Sequence, residues 1–277
     1  MAKAGQNLPE IKSKRLKQYM ELRERNQTVA TGVNDPRVPR DIEKMTPDDP
    51  QLIDVIRDIW IDQPSTEPYN LHHSYRTFSQ FKEDTIVDKL MEGKRDGFFI
   101  EAGAVDGEFL SNSLFFEMHR NWSGLLIEAD PVSYSMLKTK HRKAYSINAC
   151  LASHVTKMSF YLDWNTGGID EYFEVEKKDY QATVYCFPLQ AILHAIKQTT
   201  VDLFSLDVEG AEPYVLKGID FDKVDIKMFL IEYNLCGLQP INEILEPVGY
   251  KVLRKDDVNV IYIKQGTVPV TDGLEKP

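Results

Sequence analysis

Residues 97–117 read GFFIEAGAVDGEFLSNSLFFE. The run 98–102 is apolar except for Glu101, the composition of a strand covered on both faces. Gly103 and Gly107 follow, and Ser111 and Asn112 then open an amphipathic stretch that predicts a helix over 111–120. Glu101 at the end of the strand has two readings. It closes an ordinary strand-to-helix turn, or it faces a crevice and accepts hydrogen bonds from the sugar hydroxyls of a nucleotide-like ligand. Glycine suits both, because it allows positive φ and close approach of a ligand to the backbone. The helix N–H groups near Ser111 and Asn112 would face the same crevice.

Working outward, the same alternation continues. Strands are predicted over 124–128, 144–151, 157–163, 182–187, 201–206 and 226–233, and helices over 131–141, 189–197, 212–217 and 240–247. The runs SGLLIE, VDLFSLD and KMFLIEY suit strands buried on both faces, so the pattern implies a parallel sheet covered by helices. The end differs: GYKVLRKDDVNVIYIK reads as two strands joined by a polar turn at 255–259, an antiparallel hairpin. The expected fold is α/β and Rossmann-like, a mostly parallel sheet with an antiparallel strand from its C-terminal hairpin.

This unit is expected to span 78–265, opening with the helical SQFKEDTIVDKLMEG. Before it, 51–77 hold a packed helix, PQLIDVIRDIWI, and a loop. Residues 1–50 read as a polar arm: IKSKRLKQYMELRERN is strongly basic, and VNDPRVPRDIEKMTPDDP carries four prolines. The arm is either solvated and partly disordered or a basic surface helix that touches an anionic membrane or a protein partner. Residues 266–277 read as a loose tail.

The chain of 277 residues has a formal net charge of −10, which argues against nucleic acid as a general partner, since phosphates would be repelled. Three cysteines, Cys150, Cys186 and Cys236, are too few and too odd for a disulfide framework and read as buried free thiols, which fits a reducing compartment. Neither a membrane span nor the apolar core of a signal peptide is seen. The histidines show no metal-ligand spacing with cysteine, and no metal site is expected; zinc signatures, Walker loops and GxSxG elbows are missing.

Three further strand ends carry polar groups. GLLIEADP ends in Glu128, about 20 residues past Gly107, where an acidic group suits a ribose diol or caps the next helix. SINACLA brings Asn148 and Cys150 to the close of the following strand, as wall of an adenine pocket or as plain structure. VDLFSLDVEGAEPYVLKG places Asp207, Glu209 and Glu212 after a strand, at the carboxyl rim where open α/β sheets bind ligands; a helix N-terminus could also offset Glu209 and Glu212. Glu232 in FLIEYN ends the next strand at the same rim.

Together these residues resemble the FkbM-type S-adenosylmethionine-dependent methyltransferase domain over about 78–263. The resemblance rests on SQFKED, IEAGAVDG, LLIEADP and, most distinctively, LFSLDVEGAEPYVLKG. It implies a class I methyltransferase fold and S-adenosyl-L-methionine as cofactor. The cofactor site would draw on Glu101, Gly103, Ala104, Gly107, Asn112, Glu128, Ala129, Asn148, Cys150 and Asp207. Asp207, Glu209 and Glu232 would face an acceptor, with O-methyl transfer to a hydroxyl as the expected reaction. PSTEPYNL, GEFLSNSLFFE, NWSGLLIEADP and NACLA are also similar to the C-terminal region of the arthropod Star-like group. That group helps export epidermal-growth-factor-type ligands from the endoplasmic reticulum. This second resemblance implies a non-catalytic trafficking role in the endoplasmic reticulum and Golgi as the alternative. The expected location is the cytoplasm or the surface of those membranes.

Overall fold

A computed structural model describes residues 8–25, 30–72, 77–169 and 181–267. The elements run α1 (Leu8–Arg25), α2 (Pro50–Val55), a π-helical turn Ile56–Trp60, β1 (Ile61–Asp62), α3 (Glu83–Leu90), β2 (Phe98–Ala102) and α4 (Leu114–Arg120). They continue with β3 (Ser123–Glu128), α5 (Pro131–Lys138), β4 (Tyr145–Asn148), β5 (Cys150–Leu151), β6 (Thr156–Tyr161), β7 (Gly168–Ile169), β8 (Gln181–Phe187) and α6 (Leu189–Ala195). The last are β9 (Thr200–Leu206), α7 (Glu212–Lys217), β10 (Asp225–Glu232), α8 (Leu238–Leu245), β11 (Tyr250–Lys255) and β12 (Asn259–Lys264).

The main sheet has the order β1-β4-β3-β2-β9-β10-β12-β11. Neighbours from β4 to β10 are parallel, whereas β12 runs antiparallel to β10 and to β11. The mostly parallel sheet with its reversed C-terminal strand is as the sequence predicts. Chain order reverses between β2 and β9, and this switch point opens a crevice at the carboxyl ends of the strands.

Strand alternation sorts the core onto the two faces of the sheet. Phe98, Ile100, Ala102, Leu125 and Ile127 pack with Leu52 of α2, Ile192 of α6, Val215 of α7 and Leu245 of α8. Phe99, Leu126, Leu203 and Met228 pack with Val87 of α3, Phe116 of α4 and Leu137 of α5. A second sheet, β5-β8-β6-β7, sits beside the first and carries its own apolar cluster, in which Phe160, Val184 and Cys186 meet Tyr19 of α1 and Phe109.

Three expectations are corrected. The predicted strand 144–151 is broken at Ala149, where the chain leaves the main sheet for the small one; β4 pairs with β3, and β5 pairs with β8. Cys150 and Cys186 are not free thiols. Their strands are adjacent with these two residues in register, and a disulfide joins them, leaving Cys236 free. Over residues 8–25 the arm is a helix, one of its two expected forms, but it is neither solvated all round nor free: Arg15 and Tyr19 are buried, and farther along the arm Ala30 and Ile42 are buried as well. The basic composition misleads because the groups that offset Arg15, Asp106 and Glu108, lie some 90 residues away in the sequence. The N-terminal end and most of the expected tail, 1–7 and 268–277, lie outside the described residues. Among the described residues no helix is long and apolar enough to cross a membrane.

Candidate functional site

The turn after β2 is built by backbone. Gly103 (φ +84°) donates to Ile127 O at 3.0 Å, and Ala104 donates to the same oxygen at 3.2 Å. Val105 adopts φ 49°, a strained setting for a β-branched residue, and this turns its N–H onto Glu128 Oε2 at 2.6 Å. Gly107 N–H closes the turn on Ala104 O at 2.8 Å. Asp106 Oδ1 then accepts from Glu108 N at 3.0 Å and Phe109 N at 2.7 Å. Burial opposes the charge of Glu108, but Lys140 and Arg15 outweigh it and hold its carboxyl down at about 2.

Glu101 shares its side of β2 with Phe99, away from the crevice wall formed by Ala102. Its carboxylate is used internally: Oε2 accepts from Ser111 Oγ at 2.8 Å and Ser113 Oγ at 2.5 Å, and Oε1 accepts from Asn112 N at 2.6 Å. Burial raises its proton affinity against the pull of Arg142 and these hydrogen bonds. Asn112 in turn donates to Ser205 Oγ at 3.0 Å, tying the turn to β9.

Glu128 ends β3 and faces the crevice. Besides Val105 N–H, it accepts from Asp130 N–H at Oε1, 2.8 Å away. Its carboxyl is pushed up to about 8, first by burial and then by the charge of Asp130. Asp130 caps α5, accepting from Val132 N at 2.7 Å and Ser133 N at 3.3 Å, while Pro131 takes the first helical position, where no N–H is needed. Asn148 donates to Glu128 O at 2.9 Å and Ala129 O at 3.0 Å and accepts from Thr31 N at 3.0 Å, so it supports this wall from behind.

Across the crevice, β9 ends at Leu206 and the turn 207–211 follows. Glu212 closes that turn, accepting from Val208 N at 2.9 Å and Gly210 N at 3.2 Å. Asp207, Glu209 and Glu232 each bring one carboxylate oxygen within 4.8 Å of the others, a spacing that could also hold a cation. Enclosure and then the nearby Glu232 push Asp207 well above the usual carboxylate range. Glu209 rises to about 7, by burial and then by Glu232 and Glu212, with Lys12 pulling the other way.

A cavity that opens to solvent joins these walls. Of the residues expected from sequence, Gly103, Glu128, Ala129, Cys150, Asp207 and Glu209 line it. Glu101, Ala104, Gly107, Asn112 and Asn148 stand behind its lining, and Glu232 meets Asp207 and Glu209 at the rim. Sequence reasoning missed Val105, Phe160, Trp164, Val208 and Ala211, which also line the cavity. Phe160 and Trp164 come from the excursion into the small sheet, and no local pattern signals that they return to the crevice. Asp130 carried a legible signal, Asp before Pro, but only for its capping role. The buried carboxylate of Glu128, the aromatic pair Phe160 and Trp164, and the carboxylates at the far end fit a nucleoside with a cationic tail.

Comparison with known proteins adds the following. The family description "Methyltransferase FkbM domain" matches residues 101–252. Similar solved structures include methyltransferase FkbM from Methylobacillus flagellatus KT, with 14% identity over 61% of this chain and a TM-score of 0.40; the chain spans 43% of that protein's length. Precorrin-6y C5,15-methyltransferase from Geobacter metallireducens GS-15 is 12% identical over 69% of this chain and 93% of its own, with a TM-score of 0.40. TrmK from M. capricolum, in complex with S-adenosyl-homocysteine, is 11% identical over 72% of this chain and 73% of its own, with a TM-score of 0.35. No curated protein matches the chain.

Proposed function

The chain belongs to the methyltransferase FkbM domain family, and on that premise we propose that it transfers a methyl group from S-adenosyl-L-methionine to a hydroxyl acceptor. The observation that carries this reading is the buried Glu128 carboxylate on one wall of a cavity whose other wall bears Asp207 and Glu209. When bound, the cofactor supplies an electrophilic methyl group on a sulfonium. Glu128 accepts hydrogen bonds from the ribose diol, as acidic groups at this strand end do in nucleotide-binding sheets. Phe160, Trp164 and Cys150 wall the base. Gly103 brings backbone close to the tail of the cofactor, with Ala104 behind it. Asp207, whose proton affinity burial and then Glu232 raise above the ordinary carboxylate range, takes the acceptor's hydroxyl proton with Glu209 and Glu232 beside it.

Calorimetric titration with S-adenosylhomocysteine tests the reading. At pH 9, where the Glu128 carboxyl is ionised, Glu128→Ala is expected to weaken that affinity about 10- to 100-fold, the worth of hydrogen bonds to a charged group. A folded variant with wild-type affinity would remove Glu128 from the site. Asp207→Asn keeps the shape of the side chain but not its basicity. Its expected phenotype is retained cofactor binding and methyl transfer slowed about 100-fold or more, measured on an acceptor found by screening hydroxylated sugars, lipids and proteins. Transfer at the wild-type rate would take the base away from Asp207.

One observation favours a second reading. The disulfide Cys150–Cys186 suits an oxidising compartment, as expected of a Star-like protein working in the secretory pathway on export of epidermal-growth-factor-type ligands. On that reading the cavity serves stability or partner recognition. A folded protein that neither binds S-adenosylhomocysteine nor transfers methyl would favour it.

A further inference from the structure

Helix α1 reaches four of the segments around the mouth of the cavity. Lys12 lies close enough to Glu209, after β9, to favour its charge. Arg15 pairs with Asp106 and, at 2.8 Å, with Glu108, both in the turn after β2. The Tyr19 hydroxyl donates to Asp130 Oδ2 at 2.5 Å, after β3. Arg23 donates to Leu162 O at 3.0 Å, two residues before Trp164. Positions 12, 15, 19 and 23 follow the three- and four-residue spacing of one helical face. That face looks onto the carboxyl ends of the strands. None of the four lines the cavity itself.

Two of these contacts converge on one side chain. Arg15 holds Asp106, whose Oδ1 fixes the turn that presents Val105 N–H to Glu128 Oε2. Tyr19 holds Asp130, whose own N–H meets Glu128 Oε1. Each oxygen of Glu128 is therefore oriented by a loop that α1 pins. The contacts are also demanding. Arg15 and Lys140 face Asp106 and Glu108 with all four side chains buried, so removing Arg15 takes away one of the two buried cations that face this carboxylate pair, where the His72 N–H also donates to Glu108. Tyr19 is fully buried in the apolar cluster that also contains Phe160 and Trp164.

We propose that α1 is part of the cofactor site, with Arg15 and Tyr19 as positioning residues that set Glu128 through Asp106 and Asp130. The proposal rests on the methyltransferase reading above. Its consequence is reciprocal coupling: a ligand that needs Glu128 in register favours the docked helix, and the docked helix favours the ligand.

The test uses the full chain and S-adenosylhomocysteine, with two readouts. Hydrogen exchange of the α1 amides, in the protein with and without ligand, is expected to slow on binding. Calorimetry is expected to give Tyr19→Phe, which keeps the ring and loses only the hydroxyl, a dissociation constant about three- to tenfold weaker. Arg15→Lys, which keeps the charge, should lose less affinity than Arg15→Met. A merely structural role would lower melting temperature without changing the affinity of the folded fraction. Unchanged affinity in both Tyr19→Phe and Arg15→Met, while the wild type binds, overturns the proposal and leaves the methyltransferase reading standing. Should those variants not fold, α1 exchange in the wild type that is indifferent to bound ligand overturns it instead. A wild-type protein that binds no S-adenosylhomocysteine removes both.

Discussion

Gly103→Ala is expected to destabilise the protein by about 4 kcal/mol or more, near the limit of what single substitutions do. Two costs coincide at this position. Gly103 sits at φ +84°, which an L side chain adopts only with strain, and a Cβ there would stand 1.8 Å from the backbone oxygen of Asp207. That oxygen cannot yield. The Asp207 N–H is bonded to Ala102 O at 3.1 Å, and β2 and β9 are paired up to Ala102 and Leu206. Making room means parting the two central strands at the switch point, where the cavity opens. Gly107→Ala is the control. It also has positive φ, at +74°, but its Cβ would meet side chains and no backbone, Leu137 Cγ at 3.0 Å and Arg142 Cγ at 3.6 Å, which can shift by a few tenths of an ångström. About 1–2 kcal/mol is expected there. Urea unfolding of both variants measures the difference as a shift in midpoint at constant slope. Equal losses in the two would show that backbone contact with Asp207 is not what demands glycine at 103.

The folded protein is expected to lose stability between pH 5 and pH 8, a range in which many proteins are at their best. Asp130, Glu209 and Glu128 have folded-state proton affinities raised to about 6, 7 and 8, above the ordinary 3.8 for aspartate and 4.5 for glutamate. In this window the folded state holds protons that the unfolded chain has released. The stabilisation is complete below the unfolded values and is lost as pH rises through 6, 7 and 8 in turn. Glu128 is enclosed, and its change corresponds to something on the order of 4 kcal/mol once it is fully ionised. Glu209 is more open and contributes less, because solvent screens it. Glu108, held at about 2, acts in the opposite sense, but its stabilisation is lost only as pH falls from the ordinary glutamate range toward 2, so it is constant across this window. Urea midpoints at pH 5, 6, 7 and 8 should therefore fall, and Glu128→Ala should flatten the curve. S-adenosylhomocysteine, by donating to the ionised carboxylate, should shrink the fall at saturation. A midpoint that climbs toward pH 8 would mean that these carboxyls are already ionised at pH 5.

Local pattern was enough to read the sheet. FFIEA, SGLLIE, VDLFSLD and KMFLIEY are apolar on both faces, which only a strand between two layers requires, and the last two strands alternate with the polar turn of a hairpin. Strand ends are legible for the same reason. A carboxylate such as Glu128 or Asp207, directly after a buried run, must lie where the sheet meets solvent, so the rim of the cavity could be listed from sequence. Which of those carboxylates faces the cavity was not legible. Glu101 and Glu128 end neighbouring strands in the same way, yet Glu101 is consumed by Ser111, Asn112 and Ser113 while Glu128 lines the cavity. The difference lies in which partners the turn after β2 folds back to offer. The same holds for Cys150 and Cys186, 36 residues apart and joined because β5 and β8 are neighbours in register. It holds most strongly for α1. A basic, weakly amphipathic stretch has nothing in its own composition to say that two of its polar side chains are buried. Arg15 and Tyr19 leave solvent only because Asp106, Glu108 and Asp130, about 90 to 110 residues further along the chain, come to meet them, and burying a charge is favourable only where its partner is already in place. Periodicity and turn chemistry act between residues a few positions apart, so they determine elements and their ends. Pairing across about 90 residues depends on how the elements pack, and that the tertiary structure alone decided.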